Sequence, residues 1–258
     1  MSKRKHEFTI EIDAPADVIW KALTEAEGLQ KWFVPSAAVT PGVGGSVTLS
    51  WGEACQGTAP IHLWEEGKRL GTTEGSKQVE YEIEAMDGGK TRLRLVHSGF
   101  GADAKFDQEY ESTHGGWLTF LAMLKHSSEH YAAVPATHVH ELRMLTAPAG
   151  EQWEKLIGPA GIGIDSLLEG QLYRATLAGI SLAGTVIRHP KPGYLALSAP
   201  GSIVALFVEK CGETSMQTIQ WILFGDARNR AEEVRQALAR FNGAQEPMPA
   251  AQAAQTQT

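Results

Sequence analysis

Cysteine is scarce in this chain, which has only Cys55 and Cys211 among its 258 residues. The two lie far apart and match no metal-ligand spacing, so they indicate a reducing compartment. Positive charge is also in deficit, because 23 basic against 30 acidic side chains give a formal net charge of −7. This balance weighs against phosphate backbones and anionic membranes, so neither nucleic acid nor a membrane is an expected partner.

The N-terminus lacks the apolar run of a secretion signal. Basic residues 3–5 are followed by Phe8 to Ile12, in which apolar and polar residues alternate. A cytoplasmic protein is therefore predicted. With 43% hydrophobic and 21% charged residues, the chain is typical of a globular protein with one large domain or two modest ones.

Motifs for nucleotide binding and covalent catalysis are missing. Gly161-Ile162-Gly163 has no third glycine, and no glycine loop is followed by Lys-Ser or Lys-Thr. The sequence has no Gly-x-Ser-x-Gly elbow, and neither cysteine has a neighbouring base. No cofactor and no catalytic residue are therefore assigned.

The first half begins with a strand pattern, Phe8 to Ile12, and Asp13-Ala14-Pro15 then opens a short helix. A second helical segment is predicted from about Glu27 to Trp32. Antiparallel strands are predicted from four period-two runs, Val47-Leu49-Trp51, Ile61-Leu63, Val79-Tyr81-Ile83 and Leu93-Leu95-His97. Across the turn Asp87-Gly88-Gly89, Glu80, Glu82 and Glu84 face Arg92 and Arg94, which supports a hairpin.

A long helix is predicted from about Phe106 to Tyr131. Its apolar stripe contains Trp117, Phe120, Leu121, Leu124 and Tyr131, with Tyr110 inside the stripe and His114 at its edge. Gly115-Gly116 costs such a helix about 2 kcal/mol relative to alanines. We therefore expect close packing at these glycines or a break in the helix.

The second half repeats the opening of the first. Ala14-Pro15-Ala16, Trp20 and Leu23 recur 133 positions later as Ala147-Pro148-Ala149, Trp153 and Leu156. Five strand-like runs follow between Leu172 and Phe224, and a helix is predicted from Asp226 to about Phe241. The predicted domains are residues 1–135 and a shortened second copy, 136–242, with a disordered tail at 243–258.

This element order is that of the helix-grip fold, an α+β fold in which a long C-terminal helix is wrapped by an antiparallel sheet. A further set of residues in the first half is specific enough to name a family: Ala14-Pro15, Trp20, Leu23-Thr24, Leu29, Trp32-Phe33, the Gly42–Gly45 turn, Gly67-Lys68-Arg69-Leu70, Thr91-Arg92-Leu93, His97-Ser98-Gly99-Phe100, Gly116-Trp117 and Leu121. In these residues the first half resembles the bacterial homologues of the heat-shock protein 90 ATPase activator, within the START-like (SRPBCC) superfamily.

The resemblance implies an apolar cavity between sheet and long helix that holds a small hydrophobic molecule. Aromatic side chains suit such a wall because they combine apolar area with polar edges. A filled core is the alternative. The candidate ligand-binding residues are Trp32, Phe33, Trp51, Tyr81, His97, Tyr110, His114, Trp117, Phe120 and Leu121.

His97 shares the inward face of its strand with Leu93 and Leu95. It is either a ligand-orienting or acid/base group, or a buried histidine with a structural hydrogen bond. His114 is predicted either to reach the cavity or to lie at its rim.

The letters His126-Ser127-Ser128-Glu129-His130 match an inverted zinc-peptidase motif. Both histidines fall on the helix face away from Trp117, near the helix C-terminus, where the macrodipole favours imidazoles. No metal is therefore assigned there. His138 and His140 with Glu141 have metal-compatible spacing, which alternate strand histidines also produce by accident.

The sequence and the resemblance together suggest three alternative functions. The first is a cytosolic binding protein for a small hydrophobic molecule, with the second domain as support or lid. The second is an enzyme of cyclase or hydrolase type that uses His97 or His114. The third, which the resemblance implies, is an interaction module with a chaperone as partner.

Overall fold

The computed structural model describes residues 4–52, 55–159, 161–190 and 192–243. The chain divides into two compact units, residues 1–135 and residues 136–258. Neither Cys55 nor Cys211 forms a disulfide bond. None of the helices in the described ranges is long and apolar enough to cross a membrane.

The first unit is a seven-stranded antiparallel sheet with one long helix. Its elements are β1 (Arg4–Ile12), α1 (Ala16–Thr24), α2 (Ala26–Leu29), β2 (Ser36–Thr40), β3 (Ser46–Ser50), β4 (Gln56–Glu65), β5 (Arg69–Glu74), β6 (Lys77–Met86), β7 (Lys90–Phe100) and α3 (Asp107–His130). The strand order is β1-β7-β6-β5-β4-β3-β2, so the first strand pairs with the last.

Charged side chains on the outer face of the sheet set the register of three strands. Arg94 pairs with Glu82 on β6 and with Glu7 on β1, at 3.2 and 2.8 Å. Arg92 bridges Glu84 and Glu11 in the same way. The predicted hairpin across Asp87-Gly88-Gly89 is therefore confirmed, and the charge ladder extends one strand further than the hairpin.

One predicted face is wrong, because β4 has a bulge at His62. Ile61 pairs with Thr72, and the next pair along the strands is Leu63 with Gly71. Gly71 in turn pairs with Glu80, whose side chain faces outward, so Leu63 also faces outward. The bulge changes the alternation of side chains beyond it. Trp64 rather than Leu63 therefore joins Ile61 on the inner face, where it contacts Trp20 edge to face at 4.9 Å.

The long helix α3 runs without a break through Gly115-Gly116. A Cβ built on Gly116 meets no described atom within 4 Å. The expectation of close packing or a break is thus wrong at Gly116. The second helix is also shorter than predicted: α2 ends at Leu29, and residues 30–33 form a turn.

The second unit is a six-stranded antiparallel sheet with two helices. Its elements are β8 (Ala136–Leu145), α4 (Ala149–Ile157), β9 (Leu172–Leu177), β10 (Ile180–Arg188), β11 (Tyr194–Ala199), β12 (Ser202–Cys211), β13 (Thr214–Phe224) and α5 (Ala231–Gly243). The strand order is β8-β13-β12-β11-β10-β9. Residues 225–230, predicted as the start of the last helix, form a 3₁₀ turn before α5.

The two units share one topology, and the second lacks the equivalents of α2 and β2. In both, the first strand pairs with the last, and a helix follows each of these two strands. Trp20 and Trp153 are the fifth residues of α1 and α4, and both are buried. The duplication predicted from sequence is therefore confirmed: the fold is a helix-grip copy followed by a shortened one.

One hydrogen bond occurs at the same place in both copies. Thr91, at the start of β7, donates its hydroxyl to the carbonyl of Ala14, 2.7 Å away. Ser215, at the start of β13, donates to the carbonyl of Ala147, 2.9 Å away. Each bond ties the end of the first strand to the beginning of the last, and both hydroxyl residues have no exposed surface.

A glycine-containing loop replaces α2 and β2 in the second unit. Gly158 and Gly161 are in backbone contact with α4, and the loop places Ile162 and Ile164 in the core with Trp153. The central strands β12 and β13 are buried on both faces. The sequence of β12 is therefore a nearly continuous apolar run from Ile203 to Val208, whereas β13 also buries the polar residues Gln217, Thr218 and Gln220.

Candidate functional site

Phe33 is the centre of an aromatic cluster in the first unit. Its ring stacks on Trp32 at 4.7 Å and on Trp117 at 5.7 Å, measured between ring centroids. Trp51 and Phe120 meet the same ring edge to face at 5.4 and 4.7 Å. Five of the predicted binding residues thus come together from the α2–β2 turn, the end of β3 and the helix α3.

Exposure within this aromatic cluster is uneven. Trp32 is fully buried, and its indole donates a 3.0 Å hydrogen bond to the carbonyl of Ala22, which makes it a packing residue. Trp117 is also buried, whereas Phe33, Trp51 and Phe120 are partly exposed. Solvent therefore reaches one side of the cluster.

His97 lies next to the cluster on β7. The indole Nε1 of Trp117 donates to Nδ1 of His97 at 2.9 Å, so Nδ1 is an acceptor and the neutral ring carries its proton on Nε2. Burial, with a smaller contribution from the Lys77 ammonium, lowers the pKa of His97 to about 4. At neutral pH this imidazole is uncharged.

Tyr110 and His114 belong to a second group of rings around His6. The rings of His6 and Tyr110 stack at 3.8 Å, and His6 Nε2 donates to the carbonyl of Tyr110 at 2.8 Å. His114 is exposed and lies 5.2 Å from His6, so it is at the rim. Phe100 links this group to His97, at 4.6 Å.

Tyr81 and Leu121 complete the predicted set, and both are buried. Tyr81 meets Trp117 edge to face at 6.3 Å, and burial raises the pKa of its hydroxyl. Sequence reasoning missed His6 and Phe100. The signal for His6 was available, since it continues the inward alternation of Phe8, Ile10 and Ile12.

The histidines with metal-like spacing do not gather a ligand set. His126 and His130 lie 4.5 Å apart between ring centroids, but Glu129 accepts hydrogen bonds from Lys125 and from the backbone of Asp13. His138 and His140 have ring centroids 6.5 Å apart. In the described part of the chain, no group of three or more His, Cys, Asp or Glu side chains is placed to hold a metal ion.

An antiparallel sheet and a long helix with an aromatic cluster between them define the helix-grip fold. Residues 13–129 match the family model described as "Activator of Hsp90 ATPase homolog 1-like protein". The first unit is therefore a START-like domain of this type. A comparison with curated proteins found no match.

Solved structures similar to the chain fall into two groups by coverage. The Aha1 dimer from Colwellia psychrerythraea is 20% identical and covers 49% of this chain and 97% of its own, with a TM-score of 0.43. A protein from Enterococcus faecalis is 24% identical and covers 50% of this chain and 77% of its own, at 0.44. The di-domain ARO/CYC protein BexL, from the BE-7585A biosynthetic pathway, is 15% identical and covers 93% and 95%, at 0.42.

Proposed function

We propose that the first unit binds a small hydrophobic molecule on its aromatic cluster, in the cytoplasm. The observation that carries this proposal is the partial exposure of Phe33, Trp51 and Phe120 around buried Trp117. Rings that only filled a core would be fully covered, whereas a binding surface needs apolar area within reach of solvent.

His97 supports a role in orienting the ligand. Because its Nδ1 is occupied by Trp117, the Nε2–H remains as a single donor beside the rings. A carbonyl or hydroxyl on an otherwise apolar molecule is the group such a donor would select.

Binding fits these residues better than acid/base catalysis. A general base needs a free lone pair and a pKa near the working pH, whereas Nδ1 of His97 is engaged and its pKa is about 4. Glu82 and Glu84 on β6 are paired with arginines on the outer face of the sheet. His114 is exposed, so it has no dry environment in which to move a proton.

A neutral fluorescent probe, N-phenyl-1-naphthylamine, tests the proposal on the full chain. Trp51→Ala is expected to weaken saturable binding about tenfold, because it removes a partly exposed wall of the cluster. Trp64→Ala is the matched control: Trp64 is also partly exposed but contacts Trp20 instead. Absence of saturable binding to the folded protein, or equal effects of both variants, would overturn the proposal.

Native mass spectrometry of protein purified from its own host would identify the ligand, since a small molecule that co-purifies appears as added mass. His97→Gln then separates orientation from catalysis. A folded His97→Gln chain with unchanged turnover of an identified substrate would remove His97 from any catalytic role.

A second candidate is a protein-interaction module acting on a chaperone. It is favoured by the description of the family whose model matches residues 13–129. A change in the ATPase rate of a purified Hsp90-type chaperone upon addition of the chain would support it.

A further inference from the structure

The second unit contains a cleft of about 470 Å³ between α4, the β9–β10 hairpin and the end of α5. Its apolar lining comes from Leu156, Ile162, Ala237 and Phe241. The first three are buried in the core of this unit, so they form a fixed floor. The volume is in the range of sites that hold drug-sized molecules.

Two cationic side chains, Lys155 and Arg240, line the same cleft. Both residues are exposed, and within the described residues neither forms an ion pair. On α5 and in the turn before it, Arg230 pairs with Glu233 and Arg235 pairs with Glu232. In a chain of net charge −7, two cations without an ion pair beside an apolar floor favour the binding of an anion with an apolar body.

The β9–β10 turn adds a strained residue at the cleft. Ala178 is a lining residue with φ of +53°, and it is the one non-glycine residue at positive φ in the described ranges. A turn with positive φ at both Ala178 and Gly179 favours asparagine at the first position. Alanine is strained in this conformation, but its short side chain leaves the cleft open where asparagine would extend into it.

We propose that this cleft binds a small amphipathic anion, with its apolar body on the floor and its carboxylate or sulfonate between Lys155 and Arg240. The shortened copy explains why the space is open. The first unit has α2, its turn and Trp51 at the corresponding place, whereas the second has a glycine-containing loop and a two-residue turn. The proposal is independent of the function proposed for the first unit.

The test compares two probes of nearly the same shape, 8-anilinonaphthalene-1-sulfonate and the neutral N-phenyl-1-naphthylamine, on the full chain. Amide resonances of Gly161, Gly179 and Ala237 report on the cleft itself, which separates it from the aromatic cluster of the first unit. The sulfonate is expected to shift these resonances saturably, more tightly at low than at high ionic strength.

Charge removal gives the decisive variant. Combining Lys155→Gln with Arg240→Gln is expected to weaken sulfonate binding about tenfold and to leave the neutral probe within about twofold. Arg235→Gln, on the same helix but outside the cleft, is the matched control and should bind as the unmodified chain does. Both cleft cations are exposed, so the variants should stay folded.

Filling the space is an independent variant. Thr176→Trp, at an exposed lining position of β9, should abolish the resonance shifts with both probes, whereas Leu172→Trp on the same strand should not. The assignment is overturned if the double charge variant binds the sulfonate as tightly as the unmodified chain. It is equally overturned if Thr176→Trp leaves the shifts intact.

Discussion

The hydrogen bond from Trp117 to His97 gives the sharpest prediction on stability. Trp117→Phe keeps an aromatic ring in the cluster but removes the Nε1–H that His97 Nδ1 accepts at 2.9 Å. A partly buried acceptor without a donor costs about 1–3 kcal/mol, and the smaller ring adds about 1 kcal/mol of lost burial. We therefore expect Trp117→Phe to lower the free energy of unfolding by about 2–4 kcal/mol.

Trp221→Phe is the control in the second unit. Trp221 is buried like Trp117, and its indole Nε1 has no hydrogen-bond partner among the described residues. Its replacement should lower the free energy of unfolding only by the contribution of the lost ring area. Urea unfolding followed by far-ultraviolet circular dichroism measures both, with a separate transition fitted for each unit where the curves require it. Equal losses in the two variants would refute the contribution of the hydrogen bond.

The same pair makes a spectroscopic prediction. In the Trp117→Phe chain, Nδ1 of His97 no longer accepts the hydrogen bond that favours the neutral ring, so the pKa of His97 should rise above about 4, while burial still holds it below its ordinary value. Imidazole resonances followed by NMR during a pH titration report this shift directly. An unchanged titration in a folded variant would show that burial alone sets the pKa.

Four further predictions test the fold and the histidines. Gly116→Ala should stabilise the chain by about 0.5–1 kcal/mol, because a methyl group there meets no described atom and alanine favours the helix; a loss of stability would contradict this. Ala178→Gly should stabilise by about 1 kcal/mol by releasing the strain of positive φ, also measured by urea unfolding. The free energy of unfolding should fall as pH drops from 6.5 towards 4, because burial lowers the folded pKa of His97, His126 and His140 to about 4 and the unfolded chain then binds more protons. His97→Gln should remove about a third of this dependence. Protein purified without added zinc should contain no stoichiometric metal, and one zinc per chain that is lost on changing His126 and His130 to alanine would overturn the helical-face argument.

The element order was predictable because each element carries its own periodic signal. The alternation of Phe8, Ile10 and Ile12 and the helical stripe around Trp117 are local patterns. They predicted the ends of β1 and α3 to within a few residues. The duplication was visible for the same reason, since Trp153 stands in α4 where Trp20 stands in α1.

What sequence could not supply depends on contacts between distant residues. The bulge at His62 exchanges the faces of Leu63 and Trp64, and it depends on Gly71 of the neighbouring strand, where a side chain would meet His62 and Leu63. Sequence placed Phe33 and Trp117 near a cavity but could not show that their rings stack at 5.7 Å. Sequence also predicted that the second copy is shortened, but not that Lys155, Arg240 and the β9–β10 turn line one cleft, because these residues come from distant parts of the chain.

The two copies differ in the parts that do not hold the fold together. The bond from Thr91 to Ala14, and its counterpart from Ser215 to Ala147, fastens the first strand to the last in each copy. Both copies keep the pairing of the first strand with the last and the helix after the last strand. The α2–β2 segment takes no part in this closure, because β2 lies at the edge of its sheet opposite β1. The second copy lacks the α2–β2 segment, and Ile162 and Ile164 of the glycine-containing loop complete its core instead. Divergence between the copies is therefore concentrated at the two proposed binding sites, the aromatic cluster of the first unit and the cleft with Lys155 and Arg240 in the second.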